Sequence, residues 1–255
     1  MKKTATAFAF FIGVLVSLPF QAAAQQSLTA KQVVDKANKN MEGDSSVSRM
    51  SMTIVRPSWQ RTIEFKNWVK GTDYALTLIT APAKEQGQTF LKRGNNMWNW
   101  LPKIHRLIKL PPSMMSQGWM GSDYTNDDIL KQSSLTEDYD HRFDGEETLE
   151  NRLCYRIEMI PHEESTVVWG KLITWISKKD FIFMKTEYYD EDGYLVRTEK
   201  AGDIKKMGGR FIPTRLEIIP ADETRQKTVV LIHEMNFNVN LKDSFFSQQN
   251  MKQIH

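Results

Sequence analysis

The chain has 255 residues, 25% of them charged, a formal net charge of +3 and a single cysteine. That balance lacks the large basic excess of a nucleic-acid binder, and one cysteine excludes an internal disulfide. Stability must come from a core, which about 230 residues are enough to build.

Lys2 and Lys3 precede an apolar run ending at Leu18, followed by Pro19 and Ala22-Ala23-Ala24. The pattern predicts a secretory signal peptide over 1–24, cleaved before Gln25, because the run is shorter than the roughly 20 residues of a spanning helix. No cysteine stands at the end of that run, so a lipoprotein signal is excluded. Without Lys2 and Lys3 the basic residues fall from 34 to 32 against 31 acidic ones, a net +1. The expected mature protein, 25–255, is exported to the periplasm with no stable membrane span.

In "LTAKQVVDKANKNMEG", Thr29 and Gln32 have capping-box spacing, Val33, Ala37 and Met41 share one face, and Gly43 supplies a stop, so a helix is expected over Thr29–Glu42. From Ser46 the texture alternates: "SRMSMTIVRP", "RTIEFKNWVKG", "DYALTLITAP", "QTFLKRG" and "NMWNWLP" read as strands joined by short turns. Beyond residue 138 the same texture resumes, with "DEDG" at Asp190–Gly193 and "KMGGRF" at Lys206–Phe211 as hairpin turns. Cys154 falls in an apolar strand, where a thiol behaves as a small hydrophobe. Without βαβ alternation or a linker, the chain predicts one domain that is mainly β, a large antiparallel sheet, curled or closed.

His105, His141, His162, His233 and His255 are scattered without metal-ligand spacing. Asp123, Asp127 and Asp128 lack the order of a calcium loop and instead read as a helix start capped by Thr125 or Asn126. No nucleophile elbow, phosphate loop or dinucleotide fingerprint is present, so no enzyme activity, metal or cofactor is expected.

The stretch between the two sets of strands, "NWLPKIHRLIKLPPSMMSQGWMGSDYTNDDIL", is apolar yet unsuited to any one regular element. Met114, Met115, Trp119 and Met120 lie between Pro111-Pro112 and Gly121, and adaptable methionine suits surfaces that meet varied apolar partners. The expectation is a plug or lid over an apolar cavity, with the N-terminal helix as its counterpart.

The pieces "LPPSMM" and "GSDYTNDD" within that stretch resemble the signature of the exported outer-membrane lipoprotein-sorting family, similar in fold to the lipoprotein carrier LolA. The likeness runs from the first helix to "NVNLKDSFF". It implies an incomplete, half-closed antiparallel β-barrel with an N-terminal helix, a helical lid or plug, and an apolar interior that receives acyl chains. The carrier's lid-latching arginine after "WVK" is replaced here by Gly71. With that resemblance, Trp68, Trp98 and Trp100 are expected at the cavity or its mouth, with Trp98 and Trp100 on one side of a strand. Pro111, Pro112, Met114, Met115, Trp119 and Met120 are expected in the lid. The expected partners are an acylated lipoprotein or lipid, an inner-membrane transporter and an outer-membrane acceptor. An alternative is a non-carrying periplasmic accessory that docks on a transporter of the RND type or another membrane transporter through Lys103, Arg106 and Lys109, beside His105.

Overall fold

The structure, a computed structural model, describes residues 28–126, 128, 135–165, 167–223 and 225–254. The expected signal peptide, Asp127 and His255 lie outside them. Helix α1 (Ala30–Glu42) starts at the expected capping box: Thr29 Oγ1 accepts from the Gln32 amide at 3.2 Å, and Gln32 Oε1 accepts from the Thr29 amide at 2.9 Å. Gly43, at φ 66°, ends the helix and donates to Lys39 O at 2.9 Å.

Strands β1 (Ser45–Arg56), β2 (Trp59–Lys70), β3 (Tyr74–Ala81), β4 (Thr89–Arg93), β5 (Asn96–Leu101) and β6 (Arg106–Lys109) follow in chain order. After the intervening segment come β7 (Tyr139–Leu149), β8 (Arg152–Pro161), β9 (Lys171–Ser177), β10 (Phe183–Tyr189), β11 (Leu195–Met207), β12 (Arg210–Pro220) and β13 (Lys227–Phe237). Both expected hairpin turns form: Gly193 has φ 84° between β10 and β11, and Gly208 and Gly209 have φ 55° and 86° between β11 and β12.

All described strands join one 13-stranded antiparallel sheet in the order β6-β5-β4-β3-β2-β1-β13-β12-β11-β10-β9-β8-β7. Strands β6 and β7 remain as its two edges, so the sheet is half-open and does not close into a barrel. The chain turns back on itself where β1 pairs with β13, from Ser46 opposite Phe237 to Val55 opposite Lys227. The next seam is far shorter: β12 and β13 are in register only over Arg215–Ile218 and Thr228–Leu231. Beyond it the end of α1 meets β12, where Asn40 Nδ2 donates to Phe211 O at 3.2 Å and Arg210 Nη1 donates to Lys39 O at 2.7 Å.

Helix α1 lies on the inner face of the β7–β12 half. Val33 and Val34 are fully buried against Ile157, Met159, Leu172 and Ile176, each side chain contributing about 1.5–3 kcal/mol. The outer face of β2–β5 is covered by the C-terminal segment, where Phe246 and Met251 pack on Leu76, Leu78 and Leu91. Thr89 Oγ1 donates to Met251 O at 2.7 Å and fixes that cover.

Candidate functional site

Alternation along the strands sorts the first half of the sheet into two chemistries. Met52, Phe65, Ile79, Phe90 and Met97 point to the inner face and form one buried cluster. Trp68, Leu76, Leu78 and Leu91, out of phase with these, point outward. Two open cavities occupy the inner side. One, with an empty volume of about 1060 Å³, lies between α1 and β9–β12 and is bounded by Met41, Leu172, Phe183, Tyr188 and Leu216. The other, of about 1090 Å³, lies over β1–β4 and β13, bounded by Met50, Met52, Phe65, Val230 and Ile232. Met41, Glu42, Tyr124 and Leu216 line both and form the partition between them.

The Met/Trp segment forms the remaining wall. Among its described residues it is built of two short 3-10 turns, Pro112–Met114 and Trp119–Gly121, and an isolated bridge between Gly118 and Thr125. Prolines and glycines spaced this closely leave no room for a longer helix. Gly118 is required by the close return of the chain, since a Cβ there would stand 2.5 Å from Ser122 O. Trp119 is buried, with its ring edge-on to Phe65 at 5.9 Å and Phe90 at 5.2 Å. Such aromatic contacts contribute about 0.5–1.5 kcal/mol each beyond burial. Met115 and Met120 pack against the same cluster, Met114 is half-buried and its carbonyl accepts from Asn126 Nδ2 at 2.8 Å, and Pro111 is exposed.

Arginines from the sheet hold this segment down. Arg56 Nη2 is 3.0 Å from Asp123 Oδ1 and also donates to Gly121 O at 3.2 Å. Arg61 donates to Met120 O. Arg197 donates to both carboxylate oxygens of Asp128, at 2.6 and 2.8 Å, and to Asp123 O at 2.7 Å. Its guanidinium also stands over the Tyr188 ring at 4.1 Å and the Trp169 ring at 4.5 Å. Burial acts against its charge, yet Asp128 holds Arg197 above its ordinary pKa. Burial also raises the Glu199 carboxyl beside it, and Tyr188 donates to Glu199 Oε2 at 3.2 Å. Asp128 additionally accepts from Trp169 Nε1 at 3.1 Å and from the Thr125 amide at 2.6 Å. Thr125 Oγ1 in turn accepts from the Asp128 amide at 3.0 Å, which makes Thr125 the capping residue, and Asp128 also serves as the ion-pair partner of Arg197.

The tryptophans expected at the mouth occupy another place. Trp98 and Trp100 do share a face and pack together with Trp68, but that face is the outer one, under Phe245 and Phe246; none of the three lines either cavity. A strand pattern apolar on both sides does not reveal which face turns inward. Lys103, Arg106 and Lys109 are exposed around β6, and Lys109 Nζ lies 5.9 Å from the Trp98 ring centroid. Gly71 sits in the β2–β3 turn at φ 54°, where a Cβ would meet nothing within 4 Å, and it borders the second cavity. Sequence reading missed Arg56, Arg61, Lys92 and Arg197, because charged residues in alternating strands read as solvated, and Glu42, because an acid in the last turn of a helix reads the same way. Cys154 is buried and packs against Ile173, Trp175 and Met184, with burial raising its pKa. Among the described residues no group of three or more His, Cys, Asp or Glu side chains is arranged to hold a metal, and no helix is long and apolar enough to cross a membrane.

A family model described as "Uncharacterized protein" matches residues 71–253. No curated protein matches the chain. Among solved structures, a DUF1329 family protein from Desulfovibrio piger is similar at 23% identity and a TM-score of 0.79, over 87% of this chain and 97% of that one. A LolA superfamily protein from Nitrosomonas europaea is 24% identical, with a TM-score of 0.75 over 88% of this chain and 99% of that one. An outer membrane lipoprotein-sorting protein domain from Vibrio parahaemolyticus is 20% identical, with a TM-score of 0.76 over 88% of this chain and 98% of that one.

Proposed function

The chain belongs to the family of uncharacterized proteins whose model spans residues 71–253, and its fold is LolA-like; from that premise we propose that it is a periplasmic lipid carrier. It holds the acyl chains of a lipoprotein, or another lipid, in the inner cavities and delivers them toward the outer membrane. The observation that carries this reading is the apolar inner face under Trp119, bordered by two open cavities lined mainly by Met, Leu, Phe, Val and Ile side chains.

Each methylene moved out of water contributes about 0.8 kcal/mol, so a matching cavity retains a tail without covalent chemistry. The 110–128 segment acts as the lid, and Arg56, Arg61 and Arg197 take the latching role that Gly71 cannot fill. Residues 1–24 act as a cleaved export signal. An inner-membrane transporter supplies cargo and an outer-membrane acceptor receives it.

Native mass spectrometry of the protein purified from the periplasm without detergent, followed by solvent extraction, tests the reading. A co-purifying lipid or acylated peptide is expected. An apo mass that persists after incubation with phospholipid and lipoprotein would overturn it.

A second reading rests on the sheet corner at residues 103–106, where Ile104 is 63% exposed between Lys103 and His105, with Arg106 alongside. That tip suits an accessory that docks on a transporter, and salt-sensitive capture of that transporter by a lipid-free protein would favour it.

A further inference from the structure

The second half of the sheet is polarised along its strands. At one end lie the connections β8–β9, β10–β11 and β12–β13, which carry Glu163 and Glu164, then Asp190, Glu191 and Asp192, then Asp222 and Glu223, with Arg225 beside the last two. At the other end lie the turns β9–β10 and β11–β12, flanked by Lys178, Lys179, Lys205 and Lys206. Alternate connections of an antiparallel sheet share an end, so the strands hold these two sets of charge apart.

The basic end carries a projecting finger. Strand β11 pairs with β10 only as far as Lys200, and β12 pairs with β13 only from Arg215, so residues 201–214 run past both neighbouring strands as a two-stranded hairpin. Met207 and Ile212 anchor it against Ile232, Met235 and Phe237. Phe211, beside the Gly208-Gly209 tip, lies outside that cluster and is 55% exposed. Asn40 of α1 joins the finger to the β9–β10 turn, donating through Nδ2 to Phe211 O at 3.2 Å and to Asp180 O at 3.3 Å. Around this junction Lys36, Lys39, Lys179, Lys205 and Lys206 are all exposed. Asp35 and Asp180 are taken up by Lys39 and Arg152, whereas Lys179, Lys205 and Lys206 have no acid within ion-pair distance among the described residues. Asp44 and Asp203 are the acids that oppose them.

We propose that this end of the molecule docks on an anionic phospholipid bilayer, with Lys179, Lys205 and Lys206 among the head groups and Phe211 inserted between them. Lysine is depleted in protein interfaces, which are built around a contiguous apolar centre. Unpaired lysines on flexible stems around one exposed ring instead match a fluid negative surface. The acidic connections at the far end are repelled by the same surface, which fixes the direction of approach. Docking of this kind does not depend on what the cavities hold. It brings to the bilayer the last turn of α1, whose Met41 borders both of them.

The test is co-flotation of the mature protein with vesicles of phosphatidylcholine alone and with vesicles containing about one quarter phosphatidylglycerol. Binding is expected to the second kind only, and to weaken as salt rises from about 50 to about 300 mM. Lys205→Gln combined with Lys206→Gln should reduce it about thirtyfold, each lysine being worth about fivefold at such a surface. Phe211→Ser should weaken binding while leaving its salt dependence unchanged. Lys103→Gln combined with Arg106→Gln, at the far corner of the sheet, should have no effect. Equal flotation with both kinds of vesicle, or a loss confined to the Lys103 and Arg106 variant, would overturn the proposal. So would absence of flotation, and salt-sensitive capture of a soluble transporter domain through Lys205 and Lys206 would then give the patch to a protein partner. Flotation reports attachment to the surface and not uptake of lipid, so the carrier reading stands or falls separately on its extraction experiment.

Discussion

Replacing Arg197 with leucine would remove the guanidinium that ties β11 to Asp123 and Asp128. The Arg197 and Asp128 side chains are 4% and 12% exposed, and the pair makes two charge-assisted hydrogen bonds of 2.6 and 2.8 Å. Without the guanidinium, Asp128 keeps Trp169 Nε1 and the Thr125 amide as partners but no cation, and Asp123 O loses its donor. Breaking a buried pair by deleting one partner costs about 3–5 kcal/mol, because the surviving charge stays desolvated. By contrast the exposed Lys39–Asp35 pair, one helical turn apart, is screened by solvent and holds the fold far more weakly.

Urea denaturation of Arg197→Leu should therefore show a loss of about 3 kcal/mol or more, and limited proteolysis should cut the 110–137 segment faster than in the parent. Adding Asp128→Leu should recover a large part of the loss, since the unpaired carboxylate is then gone. A single-variant loss below about 1 kcal/mol, as for a surface pair, would refute the latch argument.

Glu42 makes the fold pH-sensitive. Its folded-state carboxyl titrates near 7, above the unfolded value, so the native state holds the proton more firmly and stability falls as pH rises from about 4.5 to about 7. Glu42→Gln should flatten that slope in melting curves taken across the range. Trp119→Ala should cost about 3–5 kcal/mol and weaken acyl-ligand binding, since the ring both fills the cluster and bounds the cavity. Trp68→Ala should carry a similar stability loss yet leave acyl-ligand affinity unchanged, measured by titration, because its face lies under the C-terminal segment. Gly118→Ala should loosen the lid, read as faster cleavage near residue 120, since its Cβ would meet the Ser122 carbonyl.

Period-two alternation and turn residues were enough to place the strands, because an antiparallel sheet with short hairpins writes its turns into local sequence. The capping box at Thr29 and Gln32 was legible for the same reason: every partner lies within one helical turn. The sense of the faces was not local. Trp68 and Asn67 are adjacent, and only the distant C-terminal segment decides that Trp68 turns outward while Asn67 turns toward the cavity. The charged network was hidden in the same way. Arg197 in "YLVRTEK" reads as a solvated strand residue until Asp128, far back in the chain, arrives beside it. The segment around Trp119 stood out by its composition as apolar and irregular, whereas Arg56 and Arg61, which hold it, lie in strands whose charges carry no such mark.

The short seam between β12 and β13 gives the sheet a line of weakness. Four residue pairs hold the two halves together there, and past them the edge of β12 is closed by the last turn of α1, through Asn40 and Arg210. The helix end therefore works as a wedge in a partly unzipped seam. Displacing it would widen the gap between the halves without breaking a continuous ladder, and the two cavities, which meet at Met41 and Glu42 on that same turn, would merge into one trough.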